Sequence, residues 1–537
     1  MNTVPASRAF AARSSPTTCR FRVLIFVLLL AWLAAWPVGA AAVRFAPIFS
    51  DGVVLQCEMA VNVWGWAAPG ARVELRLDGQ ATASALADTS GRWQAVMPAQ
   101  SPGGAHTLEA VAGAEVIKVS EVWFGEVWLA SGQSNMVQPL KNSHGGEEHL
   151  ALTLPGIRFV RVPERKGVPV ERNLTAADLA WQVFAPPQNQ RIAAVAFYFA
   201  EQLQQATGRK IGIVQSSFGG THAHVWTPLW ALEERAELRH YAAAHRKSKA
   251  AGKSKEQWLK EVSDFEAYYQ AEQRWQKTRE GTPPVPVPRP GQENPYSSVY
   301  PSTLFENMIA PLAPFTMRGV IWYQGEANAG GPAEYRVLFP ALIRAWRQTW
   351  GRADWPFLFV QLASYSASAG DWPGLRAAQA FVRDTVPHTG MALAIDCGEK
   401  EEIHPRSKQP VGVRLAQLAL AQVYGQDVFS RGPLLGTVTA EKGRVRVDFR
   451  YCDKGLRTSD GKPEIPGFEV AGVDGGFQAA HARVVGSSSV ELVSEAIPEP
   501  VAVRYAWAGW VEPPVTLQNG AGLPAEPFST AVRREKP

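Results

Sequence analysis

Cysteine is scarce in this sequence: its 537 residues include only four cysteines. Cys19 lies near the N-terminus, and Cys57, Cys397 and Cys452 are far apart in the rest of the chain. Three such residues do not make the disulfide framework of a small secreted domain, and their spacing matches no common zinc motif. The sequence therefore predicts at most one disulfide, with one thiol left over.

The chain also lacks a strong charge of either sign. Its formal net charge is +5, and most of this charge comes from four arginines within the first 42 residues, namely Arg8, Arg13, Arg20 and Arg22. The rest of the chain is close to neutral. Its charge balance therefore does not indicate nucleic acid or an acidic membrane surface as a partner.

A long apolar run, "VLIFVLLLAWLAAW" at 23–36, follows these arginines, and the small residues "VGAAA" come after it. This order is typical of a secretory signal peptide cut after Ala40 or Ala42. An uncleaved membrane anchor is the alternative, although the run is shorter than the ~20 apolar residues that a bilayer span needs. We expect a signal peptide over 1–42 and a secreted or periplasmic protein without a stable membrane partner.

Beyond the leader, the pattern predicts three domains, because the chain is too long for one. Residues 43–118 contain short alternating runs broken by Gly, Pro and Asp, which predict a β-sandwich. Residues 119–430 alternate strand-like and helix-like segments, as in a parallel sheet covered by helices. Within them, 231–299 is expected to be a helical insertion with solvated charges. Residues 431–537 return to strand alternation and predict a C-terminal β domain.

The segment "SGQSNM" places Ser134 directly after the strand-like run "EVWLA". Ligands bind at the carboxyl ends of parallel strands, so Ser134 is a candidate nucleophile. A serine after a strand is also a common cap for the next helix, and both interpretations are open. The elbow of α/β-hydrolases is excluded, because Met136 stands where G-x-S-x-G requires its second glycine.

Two further polar segments follow strand-like runs. Gly219 and Gly220 in "SSFGGTHAH" allow a backbone N–H to approach a developing oxyanion, although a tight turn is an equal explanation. In "IWYQGEAN", Gln324, Glu326 and Asn328 come directly after an apolar strand. The amides are candidate oxyanion donors, and Glu326 is a candidate for fixing a neighbouring residue or loop.

The fourth segment, "AIDCGEKEEIHP", places His404 just before a predicted helix. A lone histidine at such a position is usually structural. Here Asp396, Glu401 and Glu402 share its loop, and a carboxylate beside the ring would hold one tautomer and raise its basicity. The four segments together offer the nucleophile, donors, base and acid of a serine hydrolase.

In this order, "SGQSNM", "GGTHAHVWT", "IWYQGEAN" and "IHPRSKQPVGVRLA" resemble the sialate O-acetylesterase family, a branch of the SGNH-type hydrolases. The likeness extends to "FSDGVVLQ" near the start and "GFEVAG" near the end, and so covers nearly the whole chain after the leader. The resemblance implies an α/β fold, with a three-layer, flavodoxin-like SGNH hydrolase domain and flanking all-β modules. It also implies an acetylated carbohydrate substrate and no metal or organic cofactor.

By the same resemblance, Ser134 attacks an acetyl ester and His404 acts as the base. The oxyanion hole would draw on the Ser134 N–H, a glycine of the 219–220 pair, and the side chain of either Gln324 or Asn328.

The acid of the triad stays open. Glu402 takes the place of an aspartate that often precedes Ile-His in sialate-type members, and Glu401 stands three residues before His404, where SGNH hydrolases commonly carry the carboxylate. Asp396 is a third candidate, and a dyad oriented by a backbone carbonyl is a fourth arrangement. A second departure is the loop after Gly220, which carries His222 and His224 where relatives often read Pro and Glu.

We therefore expect a carbohydrate O-acetylesterase that forms an acetyl-serine intermediate. One alternative is an esterase for xylan or another polysaccharide. The other is a carbohydrate-binding protein without turnover, in which tryptophans such as Trp64, Trp66, Trp123 and Trp128 stack on sugars. The spacing of these tryptophans follows strand alternation, which favours the core for most of them.

Overall fold

The computed structural model describes residues 42–164, 177–297, 299–366, 370–441 and 444–534. The predicted signal peptide, apart from Ala42, lies outside the described residues. Within the described ranges, no helix is both long and apolar enough to cross a bilayer.

The N-terminal part of the described chain is built from strands. In chain order they are β1 (Arg44–Phe45), β2 (Val54–Gln56), β3 (Val61–Trp66), β4 (Arg72–Leu77), β5 (Gln80–Leu86), β6 (Arg92–Met97), β7 (Gly103–Ala112) and β8 (Glu115–Gly132). Strands β1, β3 and β6 form one antiparallel sheet. Strand β4 pairs with β5 and β7, and β7 pairs with the first part of β8.

A mainly parallel sheet forms the centre of the molecule. It adds β9 (Leu154–Arg161), β10 (Gln182–Phe184), β11 (Ile211–Ser217), β12 (Gly319–Tyr323), β13 (Phe357–Val360) and β14 (Thr389–Ala392). The strand order is β10-β9-β11-β8-β12-β13-β14, and only β10 runs antiparallel to its neighbour. Strands β11 to β14 are buried at every position, as expected of parallel strands covered on both faces.

Strand β8 belongs to both regions, because its second part pairs with β11 and β12 of the central sheet. The predicted boundary between residues 118 and 119 lies inside this continuous strand. The division of the chain into domains at the predicted limits stays a prediction.

Helices alternate with the central strands. Those of the described residues are α1 (Ser134–Val137), α2 (Gly146–Leu150), α3 (Ala194–Thr207), α4 (Leu229–Glu234), α5 (Arg239–Ala250), α6 (Lys255–Thr278), α7 (Pro332–Trp350), α8 (Trp372–Thr385) and α9 (Gln409–Gln422). Helix α3 packs on β9 and β11 and against α9, which also contacts β13 and β14. Helix α8 packs on β14 and against α7.

The range predicted to be a helical insertion, 231–299, contains α5 and α6. Helix α6 begins with a capping box, in which the Ser254 side chain accepts from the Gln257 N–H and the Gln257 side chain accepts from the Ser254 N–H. Most of α6 is exposed, and Trp258 is its one buried residue. Its charges pair along the solvated surface, for example Lys260 with Asp264.

The C-terminal part returns to strands: β15 (Leu434–Glu441), β16 (Arg444–Arg450), β17 (Leu456–Thr458), β18 (Phe468–Ala471), β19 (Phe477–Ala479), β20 (His481–Val485), β21 (Ser489–Val493), β22 (Ala502–Tyr505), β23 (Leu517–Asn519), β24 (Phe528–Ala531) and β25 (Arg533–Arg534). They form sheets of five, four and two strands. The alternating apolar residues of β16, "RVRVDFR", enter a core separate from that of the central sheet. The expected α/β class with additional all-β sheets is confirmed.

The cysteines and tryptophans singled out in the sequence lie in the following environments. Cys57, Cys397 and Cys452 are free thiols. Trp64 and Trp128 are buried in the main core, where they are not available to stack on a sugar. The half-buried Trp66 and Trp123 are covered by the cationic side chains of Arg44 and Lys210 respectively.

Candidate active site

The first three polar segments meet at one edge of the central sheet. Gly132 at the end of β8 lies in register with Ser217 of β11 on one side and Tyr323 of β12 on the other. The chain therefore leaves three neighbouring parallel strands at the same level. This is the edge at which α/β sheets bind ligands.

Ser134 is the first residue of α1, and Gln133 occupies the N-cap position. The interpretation of Ser134 as a helix cap is therefore wrong. Gly132 has a φ of +136°, and a Cβ atom there would lie 2.1 Å from the Tyr323 carbonyl oxygen, so only glycine permits this exit from the strand. The Ser134 side chain is half-buried, and its Oγ has no hydrogen-bond partner among the described residues.

Gly219 lies beside Ser134. A Cβ atom built on Gly219 would sit 3.5 Å from Ser134 Cβ, whereas one built on the exposed Gly220 would contact nothing within 4 Å. The N–H groups of Ser134 and Gly219 donate to no other group in the described chain. Both donors are thus available to a ligand, and they stand on adjoining loops.

Gln324 and Asn328 differ in which of their atoms are occupied. The Nε2 of Gln324 donates to the Thr221 carbonyl at 3.1 Å and to Asn328 Oδ1 at 2.8 Å, while its Oε1 accepts from the Tyr335 hydroxyl at 3.1 Å. The side chain is fully buried. Gln324 therefore has no amide hydrogen left for an oxyanion.

Asn328 is held by its oxygen alone. Its Oδ1 accepts from the Ala223 N–H at 3.0 Å as well as from Gln324, and its Nδ2 donates to none of the residues that the structure describes. Because the oxygen is fixed by two donors, the amide nitrogen is the end that remains for a ligand. Of the two candidates, the geometry favours Asn328 as the donor.

His404 has one carboxylate at its ring. Its Nδ1 lies 3.1 Å from Glu402 Oε1, and the same oxygen accepts from the His404 backbone N–H at 2.7 Å. Burial lowers the pKa of the half-buried imidazole, Glu402 raises it, and the charge of Lys408 lowers it further. The net shift is downward, so the ring is neutral and able to accept a proton at neutral pH.

The other two carboxylates lie elsewhere. Asp396 forms a bidentate ion pair with Arg414, with N–O distances of 2.6 and 2.7 Å. Glu401 is exposed, and its carboxylate has no hydrogen-bond partner within the described ranges. Glu402 is thus the candidate acid that the structure brings to His404.

The loops of Ser134 and His404 are joined through Asn135. The Asn135 Nδ2 donates to Glu326 Oε1 at 2.5 Å and to the Ile403 carbonyl at 3.0 Å. The residue after the serine is therefore bonded to the residue before the histidine. In the described chain, no hydrogen bond joins the Ser134 hydroxyl to the His404 ring, and such contacts often tighten only when substrate binds.

Three polar residues at this edge were not predicted as site residues: Gln133, Asn135 and Lys408. Gln133 is buried, and its Oε1 accepts from the N–H groups of Gly325 and Ala327, at 3.4 and 3.3 Å. It therefore holds the loop that carries Asn328. The signal in the sequence was their position inside "SGQSNM" and "IHPRSK", but nothing in that pattern distinguishes a buried polar side chain from an exposed one.

The insertion supports the loop that carries Gly219. His224 is buried, its ring stacks on Tyr241 of α5 at a centroid distance of 4.2 Å, and its Nε2 lies 2.9 Å from the Val299 carbonyl oxygen. Burial lowers the pKa of His224 to about 3, so its ring is neutral. The half-buried His222 stands two residues nearer to the glycines. The insertion thus packs beneath the loop that follows Gly219 and Gly220.

One group of potential metal ligands occurs in the described chain, away from this edge: Cys57, Glu58 and Glu126. Glu126 accepts from the guanidinium groups of Arg209 and Arg318. Two cations already neutralise this carboxylate, so the group is not suited to holding a metal ion.

The chain is similar to known carbohydrate esterases in sequence and in structure. Residues 285–421 match the family model described as carbohydrate esterase, sialic acid-specific acetylesterase. The mouse sialate O-acetylesterase is 29% identical, over 91% of this chain and 94% of the relative, and the human protein is 28% identical, over 94% and 96%. The crystal structure of a carbohydrate acetylesterase from Xanthomonas citri is 31% identical, covers 91% of this chain and 99% of its own, and superposes with a TM-score of 0.75.

A serine and a histidine–carboxylate pair at the edge of an α/β sheet, together with these relatives, define the chain as a carbohydrate O-acetylesterase. More specifically, it belongs to the sialate O-acetylesterase family.

Proposed function

We propose that this esterase works through an acetyl-serine intermediate on Ser134, with His404 as the general base and Glu402 as its orienting acid. The observation that carries the proposal is the His404–Glu402 pair, which stands on a loop hydrogen-bonded to the residue after Ser134. A nucleophile, a base and a third group that orients the base are the elements of such a site.

In the first half-reaction, Ser134 Oγ attacks the acetyl carbonyl carbon while His404 takes the hydroxyl proton. The bond to the sugar oxygen then breaks, His404 gives that proton to the leaving oxygen, and an acetyl-serine remains. In the second half-reaction, water attacks the acetyl carbon with His404 as base, acetate leaves, and the serine regains its proton.

The negative charge of each tetrahedral intermediate falls on the former carbonyl oxygen. We assign its stabilisation to the N–H groups of Ser134 and Gly219 and to Asn328 Nδ2, because these three donors have no other partner among the described residues. Loss of one donor of this kind typically lowers kcat by ~10²–10³-fold.

For the fold of the catalytic region we propose the flavodoxin-like, three-layer arrangement of SGNH hydrolases. The parallel order β11-β8-β12-β13-β14 and the two helix pairs, α3 with α9 and α7 with α8, support it.

As substrate we propose O-acetylated sialic acid, which is the substrate in the names of the mouse and human relatives. An acetylated polysaccharide such as xylan is the alternative. The substrate would be met outside the cytoplasm, as the basic and apolar leader at 1–42 suggests.

The test is acetate release by the wild type and by Ser134→Ala. The panel contains O-acetylated sialic acid, acetylated xylo-oligosaccharide and 4-nitrophenyl acetate, and circular dichroism verifies that the variant is folded. We expect turnover of the sialate ester by the wild type and loss of more than ~10³-fold in the variant.

Each other outcome contradicts a defined part of the proposal. Full activity of folded Ser134→Ala would exclude Ser134 as the nucleophile. Turnover of the xylo-oligosaccharide but not of the sialate ester would show that the substrate is an acetylated polysaccharide. Glycan binding without acetate release from any ester, measured by calorimetry, would identify a binding protein instead.

A further inference from the structure

A buried lysine stands at the start of α9, and none of the steps above uses it. The side chain of Lys408 is only 2% exposed, although lysine is almost never fully buried without a partner. Its Nζ donates to Asn135 Oδ1 and lies 5.6 Å from the centroid of the Tyr323 ring. The ammonium group thus contacts the residue that follows Ser134.

This contact fixes the orientation of the Asn135 amide. An ammonium group can only donate hydrogen bonds, so Lys408 selects the oxygen of the amide. The Nδ2 group is then directed to its two acceptors, Glu326 Oε1 and the Ile403 carbonyl oxygen. Both amide hydrogens and the oxygen are then engaged, and a flipped amide would place its N–H groups against the Lys408 ammonium.

Asn135 follows Ser134, and Ile403 precedes His404, so the amide fixes one loop relative to the other. We propose that Lys408 and Asn135 are positioning residues, which hold the base loop in register with the nucleophile. The inference rests on the proposed roles of Ser134 and His404, and it assigns the buried Glu326 to the same clamp.

The charge of Lys408 gives this role a second, electrostatic consequence. Burial lowers the pKa of Lys408 to about 8, and the ammonium in turn lowers the pKa of His404. Glu402 and Lys408 are the charged groups that act on His404. The groups that act on Lys408 are Glu326, Cys397, Glu399 and Glu402.

The experiment compares Lys408→Met, which removes the charge at similar length, with Lys408→Arg, which keeps the charge and changes the geometry. Lys400→Met is the matched control, because Lys400 is an exposed lysine near the same loop, paired with Glu512. For each folded protein, kcat and KM for 4-nitrophenyl acetate are measured across the pH range.

Lys408→Met is expected to lower kcat by ~10²-fold with little change in KM, because a small displacement of the base is enough for such a loss. Without the neighbouring positive charge, the His404 imidazolium is disfavoured less and its pKa rises. The acid limb of kcat/KM should therefore move to higher pH. Lys408→Arg should lower kcat with the limb unmoved, and Lys400→Met should match the wild type.

A folded Lys408→Met protein with wild-type kcat, or with an unmoved acid limb, contradicts the inference. If that variant does not fold, Lys408→Arg and Asn135→Ala decide the question, and wild-type kcat in either one overturns it. Ser134→Ala is assayed beside them. If it keeps activity, the proposed nucleophile fails, and if it is inactive while Lys408→Met matches the wild type, only the positioning role fails.

Discussion

Contact with His404 distinguishes Glu402 from the adjacent Glu401. Its Oε1 meets both the ring and the backbone N–H of His404, whereas the neighbouring Glu401 faces solvent. The carboxylate raises the pKa of His404 and directs its Nδ1–H, which leaves Nε2 free to accept a proton. Glu402 is half-exposed, so its charge is partly screened by water.

Glu402→Gln should therefore lower kcat/KM by about 10- to 100-fold, which is less than the ~10⁴-fold loss for a buried triad carboxylate. Removal of the negative charge lowers the pKa of His404, so the acid limb of the pH–rate profile should move to lower pH. The measurement is kcat/KM for 4-nitrophenyl acetate between pH 4 and 9, beside Glu401→Gln. A larger loss in Glu401→Gln than in Glu402→Gln would reverse the assignment.

At the residue scale, the sequence indicated where polar groups gather but did not distinguish among them. Ser134 stood out because it follows an apolar strand-like run, and His404 because acidic residues share its loop. Gln324 and Asn328 are only four positions apart, and their difference depends on distant partners such as Thr221 and Tyr335. Lys408 was missed because a lysine before a helix is normally exposed.

At the scale of elements, the loop after β11 shows how two adjacent glycines serve different purposes. Gly220 has a φ of +69°, in the left-handed region, and its missing side chain faces open space. Gly219 has no such backbone requirement, but the position of its missing Cβ adjoins Ser134. Gly220 thus serves the turn, and Gly219 leaves room beside the nucleophile.

The two substitutions to alanine should separate stability from activity. Gly220→Ala should lower the free energy of unfolding by about 1–2 kcal/mol, because a side chain is strained in this conformation. Gly219→Ala should leave stability nearly unchanged, since its Cβ makes an ordinary contact, yet lower kcat/KM by about 10- to 100-fold. Urea unfolding and esterase assays measure both. An unchanged kcat/KM in Gly219→Ala would show that the space beside Ser134 is not used.

The order of strands and helices was predictable because parallel strands, buried on both faces, have an apolar composition that differs from alternating strands. The continuity of β8 was not. Its 18 residues pair with the N-terminal β7 and then with β11 and β12, and no break in the sequence marks the change of partners. Pairing of this kind depends on contacts between distant segments, which a local pattern does not record.

At the scale of the whole molecule, Glu126 lies where β8 passes from the N-terminal strands into the central sheet. It is fully buried and accepts from Gln56 of β2, from Arg209 after α3 and from Arg318 before β12. Burial raises its pKa, but these partners, Arg318 foremost, lower it to about 2. The carboxylate therefore joins three parts of the chain as an anion.

Glu126→Gln should lower the free energy of unfolding at pH 7 by about 3 kcal/mol, because it leaves the partly buried guanidinium of Arg318 without its counter-ion. A folded pKa below the ordinary value of 4.5 means that this contribution is complete above pH 4.5 and is lost as the pH falls toward 2. Wild type and variant should therefore differ in urea midpoint at pH 7 and converge at pH 2–3.

Glu58→Gln, which removes the exposed partner of Arg209, is the control and should lower the free energy of unfolding by less than about 1 kcal/mol. A difference that persists undiminished at low pH would assign the effect to packing. Equal midpoints at pH 7 would show that the ion cluster does not hold these parts together.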